Sequence, residues 1–150
     1  MTTPYDIPAK DLIEGIAKKL EKDSNIEIPE KNIYSKTGVN RESPPTNKNW
    51  WYIRCAAILR KVYINNNIGV ERMREEFGGK QNCGVNTSKA RAGSGTIARR
   101  AFQQLEKAGY LSKIKGRGRM LSPKGRSFMD NTSKEVMDQI KGYYPGLEKY

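Results

Sequence analysis

The sequence contains no histidine and only two cysteines, Cys55 and Cys83, in 150 residues. Without imidazole, general acid–base chemistry lacks its commonest agent and a zinc site its usual nitrogen ligand. The two thiols show no CxxC spacing, which suits a reducing compartment and not a disulfide framework. No stretch approaches the roughly 18 consecutive apolar residues of a membrane span, and the first residues carry no apolar leader. The expectation is a cytoplasmic chain that makes no membrane contact and carries no metal or cofactor. Apolar residues are also scarce, at 36%, yet two Trp, eight Tyr and three Phe argue against disorder. A single domain over residues 1–150 would bury about 70% of its unfolded surface, enough for a core without staples.

Acidic residues are scarce in one place above all. The net charge is +12. Residues Met1 to Gly79 carry 13 basic and 11 acidic side chains, and Ser127 to Tyr150 carry 3 and 4. Between Lys80 and Arg126 stand 12 basic residues and a single acid, Glu106. A generally soluble surface would spread the excess evenly. Charge concentrated in a third of the chain repels itself until a polyanion relieves it.

Periodicity places the elements. Ile7 to Leu20 reads as a helix with Leu12, Ile13, Ile16, Ala17 and Leu20 at helical spacing, Pro8 near its start and Lys18, Lys19 and Lys22 in its last turn. Turns follow, with one helical turn after Pro29. Glu42 to Asn47 is a stiff, turn-forming stretch leading into Trp50 to Ile64. That run is apolar nearly all round, as a central buried helix is, with Asn47 or Asn49 able to cap it. Glu71 to Phe77 reads as a short helix, Lys80 to Gly95 as a long irregular loop, and Thr96 to Ala108 as a helix started near Ser94 and stopped at Gly109. Leu111 to Lys115 and Arg119 to Leu121 form a two-stranded hairpin around Gly116 and Gly118, and Ser122-Pro123 opens a last helix on which Phe128, Val136 and Ile140 can pack. The tail from Gly142 reads as loose. The fold class is mainly α: a winged-helix-like bundle around a central amphipathic helix, the hairpin serving as wing.

Chemistry concentrates on four features. In the helix from Thr96, the residues Ile97, Ala98, Ala101, Phe102, Leu105 and Ala108 fall within an arc of roughly 140°, and Arg99, Arg100, Gln103 and Lys107 within the opposite one. One face docks and the other offers guanidiniums, an amide and an ammonium to phosphates. The hairpin adds Lys113, Lys115, Arg117, Arg119 and Lys124, more cations than protection of a sheet edge requires. The Gly-rich loop presents Lys80, Gln81, Lys89 and Arg91 and looks made to order against RNA. It lacks the GxxxxGK[ST] spacing of a nucleotide-binding loop. On the central helix Trp50, Arg54 and Lys61 lie within about 40°, Trp50 being readable as a stacking platform or as core. Arg60, on the helix's other side, needs a buried carboxylate or an external phosphate.

Three blocks then carry a resemblance along essentially the whole chain. They are Asn49-Trp50-Trp51-Tyr52-Ile53-Arg54-Cys55-Ala56-Ala57, Phe77-Gly78-Gly79-Lys80-Gln81-Asn82-Cys83-Gly84-Val85, and the run from Ser94 to Glu106 followed by Gly118 to Gly125. In that order they resemble the ribosomal protein family numbered nineteen-e of archaeal and eukaryotic small subunits. Trp51, where another aromatic is usual, and Cys83, where a polar residue is, are its mild departures. The resemblance implies a site on ribosomal RNA in the head of the small subunit, neighbouring ribosomal proteins as further partners, a part in subunit maturation, and an archaeal-type member. It maps the basic surface onto Arg54, Arg60, Lys80, Arg99, Arg100 and the wing. A chain of this kind is expected to be a monomer when free and not an enzyme. The alternative is a winged-helix DNA-binding regulator, which would dimerise through an apolar terminal helix and read base edges.

Overall fold

The computed structural model describes residues 2–35 and 38–144. Helix α1 runs Ala9–Leu20, starting two residues later than its periodicity suggests because Pro8 is extended at the N-cap. Asp11 lies in its first turn and Lys18 and Lys19 in its last, as the macrodipole favours, while Lys22 falls beyond the end. Leu12, Ile16, Ala17 and Leu20 are buried against the central helix α2, Trp50–Asn65, and the last helix α5, Pro123–Ile140. The expected turn after Pro29 is a 3-10 turn at Glu30–Asn32.

Helix α2 buries Trp51, Cys55, Ala56, Ile58, Leu59 and Val62 in one continuous core. Asn49 does occupy its N-cap position, but makes no capping bond; its amide donates instead to Glu21 Oε1 at 3.0 Å, tying α2 to the end of α1. At the far end Asn66 takes φ 61° and ψ −50°, a positive φ uncommon outside glycine, and the chain turns back there. That reversal makes room for an element the sequence does not announce: strand β1, Asn67–Ile68.

Helix α3, Val70–Glu76, buries Met73. The segment from Lys80, expected to be an irregular loop, is mostly a β-ribbon: β2, Gly79–Cys83, pairs antiparallel with β3, Asn86–Arg91, across a two-residue turn. Its backbone groups satisfy each other, and its root is fastened to α3 where Gly93 N donates to Arg74 O at 2.8 Å. Helix α4, Gly95–Lys107, starts where Ser94 Oγ accepts from Ile97 N and stops at Gly109, whose φ is +82°. Strands β4, Leu111–Ile114, and β5, Gly118–Leu121, form the expected hairpin, but β1 joins them, giving a three-stranded sheet in the order β1-β5-β4. Gly118 permits this. Its φ is +95°, and a Cβ there would stand 2.6 Å from Ile68 O. Ser122 caps α5 by accepting from Gly125 N at 2.9 Å. Gly142 to Tyr144 turn back on the end of α5, Tyr143 N and Tyr144 N both donating to Ile140 O. Residues 145–150 lie outside the described residues. The architecture is thus helix-rich, with two small antiparallel sheets.

Two tyrosines fasten α5 and its approach. Tyr63 donates to Asp130 Oδ1 at 3.0 Å and Tyr110 to Asp23 Oδ2 at 3.1 Å. Burial, then donation to a carboxylate, pushes both phenols from 10.0 up to about 12. A folded-state value raised above the unfolded one gives stability that is complete below pH 10 and is lost as pH climbs towards 12. Denaturant melts at pH 9 and pH 11.5 should therefore show an alkaline loss that shrinks in a Tyr63→Phe, Tyr110→Phe double variant.

Candidate nucleic-acid interface

The burial pattern of α4 fixes which side chains it can offer. Ala98, Ala101, Phe102 and Leu105 are buried, leaving Arg99, Gln103 and Lys107 exposed along one line at successive four-residue steps. Arg100, assigned to the same polar face, is half-buried and donates to Asn32 Oδ1 at 3.2 Å. It therefore holds the 3-10 turn as well as bordering the face. Gln104, which the sequence did not single out, is the junction of the core. It accepts from Trp51 Nε1 at 2.8 Å and donates to Glu27 O at 2.7 Å.

The ribbon exposes Lys80, Lys89 and Arg91, and Arg91 Nε donates to Gln81 Oε1 at 3.0 Å. All six residues of β3 are exposed. The β4–β5 hairpin exposes Lys113, Lys115 and Arg117. Two further cations expected in the wing, Arg119 on β5 and Lys124 on the first turn of α5, are engaged within the protein. Arg119, only 16% exposed, pairs with Glu106 Oε1 at 2.6 Å and lies over the Phe102 ring. Lys124 donates to Ala108 O at 2.8 Å, satisfying a free carbonyl at the C-terminal end of α4. Glu106, the one acid in this third of the chain, is thereby used up. Among the described residues, the other eleven cations between Lys80 and Arg126 form no ion pair.

On α2 the aligned residues diverge. Trp50 is half-buried, edge-on to Trp51 with centroids 5.5 Å apart, and lines a shallow cleft with Pro45, Ile53, Arg54 and Phe77. The Arg54 guanidinium lies 4.1 Å from the Phe77 ring centroid, and burial pulls its pKa below the ordinary value. Lys61 is paired with Glu76. Arg60 has no carboxylate partner among the described residues; its Nε is buried without a hydrogen-bond acceptor.

The internal role of Arg119 is open to test. Arg119→Gln should cost about 2 kcal/mol, because the half-buried Glu106 carboxylate loses a charged hydrogen bond. It should leave the salt dependence of RNA binding unchanged. Urea melts and binding titrations on the same variant read the two effects separately.

A helix-rich scaffold that uses internally the one acid between Lys80 and Arg126, and leaves the other cations of that stretch without carboxylates, is a basic binding scaffold. The family model described as Ribosomal protein S19e matches residues 3–139. The sequence is 42% identical to the small ribosomal subunit protein eS19 of Aeropyrum pernix, over 100% of this chain and 99% of that protein. It is 42% identical to that of Thermoplasma acidophilum, over 96% and 95%. It is 44% identical to that of the eukaryote Entamoeba histolytica, over 87% and 84%. The chain belongs to the ribosomal protein S19e family. The alternative of a DNA-binding regulator finds no support among these relatives, and the last helix spends its apolar residues, Met129, Val136, Met137 and Ile140, inside this chain's own core.

Proposed function

We propose that the chain is a structural component of the small ribosomal subunit that grips ribosomal RNA in the head region and supports maturation of the subunit. The sequence α3, ribbon, α4, β4, β5 is read as a winged-helix core carrying an extra ribbon. Its RNA surface comprises Arg99, Gln103 and Lys107 of α4, Lys80, Gln81, Lys89 and Arg91 of the ribbon, and Lys113, Lys115 and Arg117 of the β4–β5 hairpin. Arg100 borders it, and half-buried Arg60, which has no carboxylate partner among the described residues, offers a phosphate its terminal N–H groups and not its buried Nε. The open side of Trp50 is read as a stacking surface, with Arg54 beside it. Lys61, Arg119 and Lys124 support this surface without taking up a phosphate, each being held by a partner inside the fold. Neighbouring ribosomal proteins are the further partners, and the free chain is a cytoplasmic monomer, since α5 buries its apolar face internally.

One observation carries the reading: eleven cations in a third of the chain lack carboxylates. Bound phosphates would release counterions, so affinity must fall steeply with salt. The test is a titration of the full chain against a small-subunit ribosomal RNA transcript at increasing potassium chloride. With six or so phosphate contacts, a drop of about a thousandfold between 50 and 200 mM is expected. A flat dependence contradicts the proposal.

A further inference from the structure

The β2–β3 ribbon has a tip that folding alone does not explain. Cys83 pairs with Asn86, leaving Gly84 and Val85 as a two-residue turn. Gly84 has φ +68°, which a mirror-image hairpin turn demands at its first position. Its N–H donates to Asn82 Oδ1 at 3.0 Å, so Asn82 and Gly84 both have reasons to be there. Val85 has none. Turns favour Gly, Asn, Asp and Ser, and a β-branched apolar side chain neither shapes this one nor packs on anything. Its exposure is 108%, the highest of the large apolar residues among those described. Everything else exposed along the ribbon is small, polar or cationic.

The ribbon is also held stiffly at its root. Gly93 N donates to Arg74 O at 2.8 Å, and Arg74 Nε donates back to Gly93 O at 3.1 Å. On the other leg Phe77, the residue before Gly78, is covered by the Arg54 guanidinium. At Gly78 a Cβ would stand 2.6 Å from Arg91 O, so the two legs approach closely there. A bare two-stranded hairpin is marginal in water, and this one is anchored at its base while every residue of β3 stays exposed. Such an element is preorganised to project its tip.

We infer that Val85 is a specificity-determining wedge: the ribbon's cations hold phosphates of structured RNA while this side chain seats against an unstacked base step, at a bulge or junction. The inference rests on the RNA reading above and names its contact chemistry. Charge complementarity chooses the occupant, because Lys80, Lys89 and Arg91 line the ribbon's legs from root towards tip, with no acid between Lys80 and Leu105. Apolar side chains at the ends of cation-lined elements seat between base steps in this way, and the energy they contribute is apolar and insensitive to salt.

The experiment separates tip from rails. Full chains of wild type, Val85→Ser, and a Lys80→Gln, Lys89→Gln, Arg91→Gln triple variant are titrated against a small-subunit ribosomal RNA transcript over a range of salt, with chemical probing of the bound RNA. Val85→Ser should lose about tenfold in affinity at every salt concentration with an unchanged slope, as befits removal of one buried valine contact. It should also expose to the probe a localised group of nucleotides. The triple variant should instead flatten the slope by about two to three. Unaltered binding by Val85→Ser with a flattened slope in the triple variant overturns the wedge and leaves the RNA reading standing. Failure of the wild type to bind the transcript overturns both.

Discussion

Trp51→Ala should remove about 3–5 kcal/mol of stability, a large part of the 5–15 kcal/mol that domains of this size possess. The side chain has 0% exposure at the start of the central helix, where α1 and α4 both pack. Two losses combine. Deleting the indole leaves a cavity that neighbouring helices can only partly close. It also removes the donor to Gln104 Oε1, in a bridge that continues through Gln104 Nε2 to Glu27 O and so joins α2, α4 and the segment after α1. Trp51→Phe separates the two. It retains most of the ring volume and strands only the amide acceptor, so its cost should be near 1–3 kcal/mol. Urea denaturation followed by circular dichroism reads both, since Trp50 would confuse a fluorescence signal. A Trp51→Ala variant within 1 kcal/mol of wild type would show that the bridge does not organise the core. RNA binding by that variant should fail only as its folded fraction falls.

The elements legible in the sequence are those whose ends are written in local chemistry. Ser94 and Gly109 bracket α4, and Ser122 with Pro123 opens α5, because a cap and a left-handed stop depend on residues a few positions apart. The run Trp50 to Ile64 announces a central helix because a helix apolar on every side has only one place to go. Strand β1 is different: two residues form a strand solely because β5, some fifty residues later, presents Gly118 and accepts them. The ribbon was hidden for a related reason. Lys80 to Arg91 is polar on both faces, so no alternation marks it, although Gly84 between Cys83 and Val85 was a usable turn signal.

The candidate site divides in the same way. Which residues are cationic is read directly, as is the face of α4 that bears them. Which cations remain free is not, because their partners are tertiary. Lys61 meets Glu76 of α3, Arg119 reaches back to Glu106, and Lys124 finds a carbonyl at the end of α4. Arg100 is the instructive case. It falls at the edge of the same polar arc, about 100° round the helix from Arg99, where the 3-10 turn packs and Asn32 accepts from its guanidinium. Helical periodicity assigns a side of the helix but not what lies on it.

That difference between adjacent arginines makes charge reversal on α4 discriminating. An Arg99→Glu, Lys107→Glu variant should remain folded. Both side chains are exposed and unpaired, and the expected stability change is about 0.3–1 kcal/mol, mainly from an acid placed in the last turn of the helix. Its affinity for a small-subunit ribosomal RNA transcript should fall by roughly a hundredfold or more at low salt, two charged hydrogen bonds to phosphate having become repulsions. The salt slope should shrink by about two. Arg99→Glu, Arg100→Glu alters the same number of charges but should behave differently. Asn32 is only 4% exposed, and losing Arg100 leaves its carbonyl oxygen buried without that donor. The second pair should therefore cost a further 1–3 kcal/mol in urea melts while its RNA affinity, measured on the folded fraction, falls to a similar degree. Near-normal affinity in the folded Arg99→Glu, Lys107→Glu variant would remove α4 from the interface. Equal stability of the two variants would remove Arg100 from its post at the 3-10 turn.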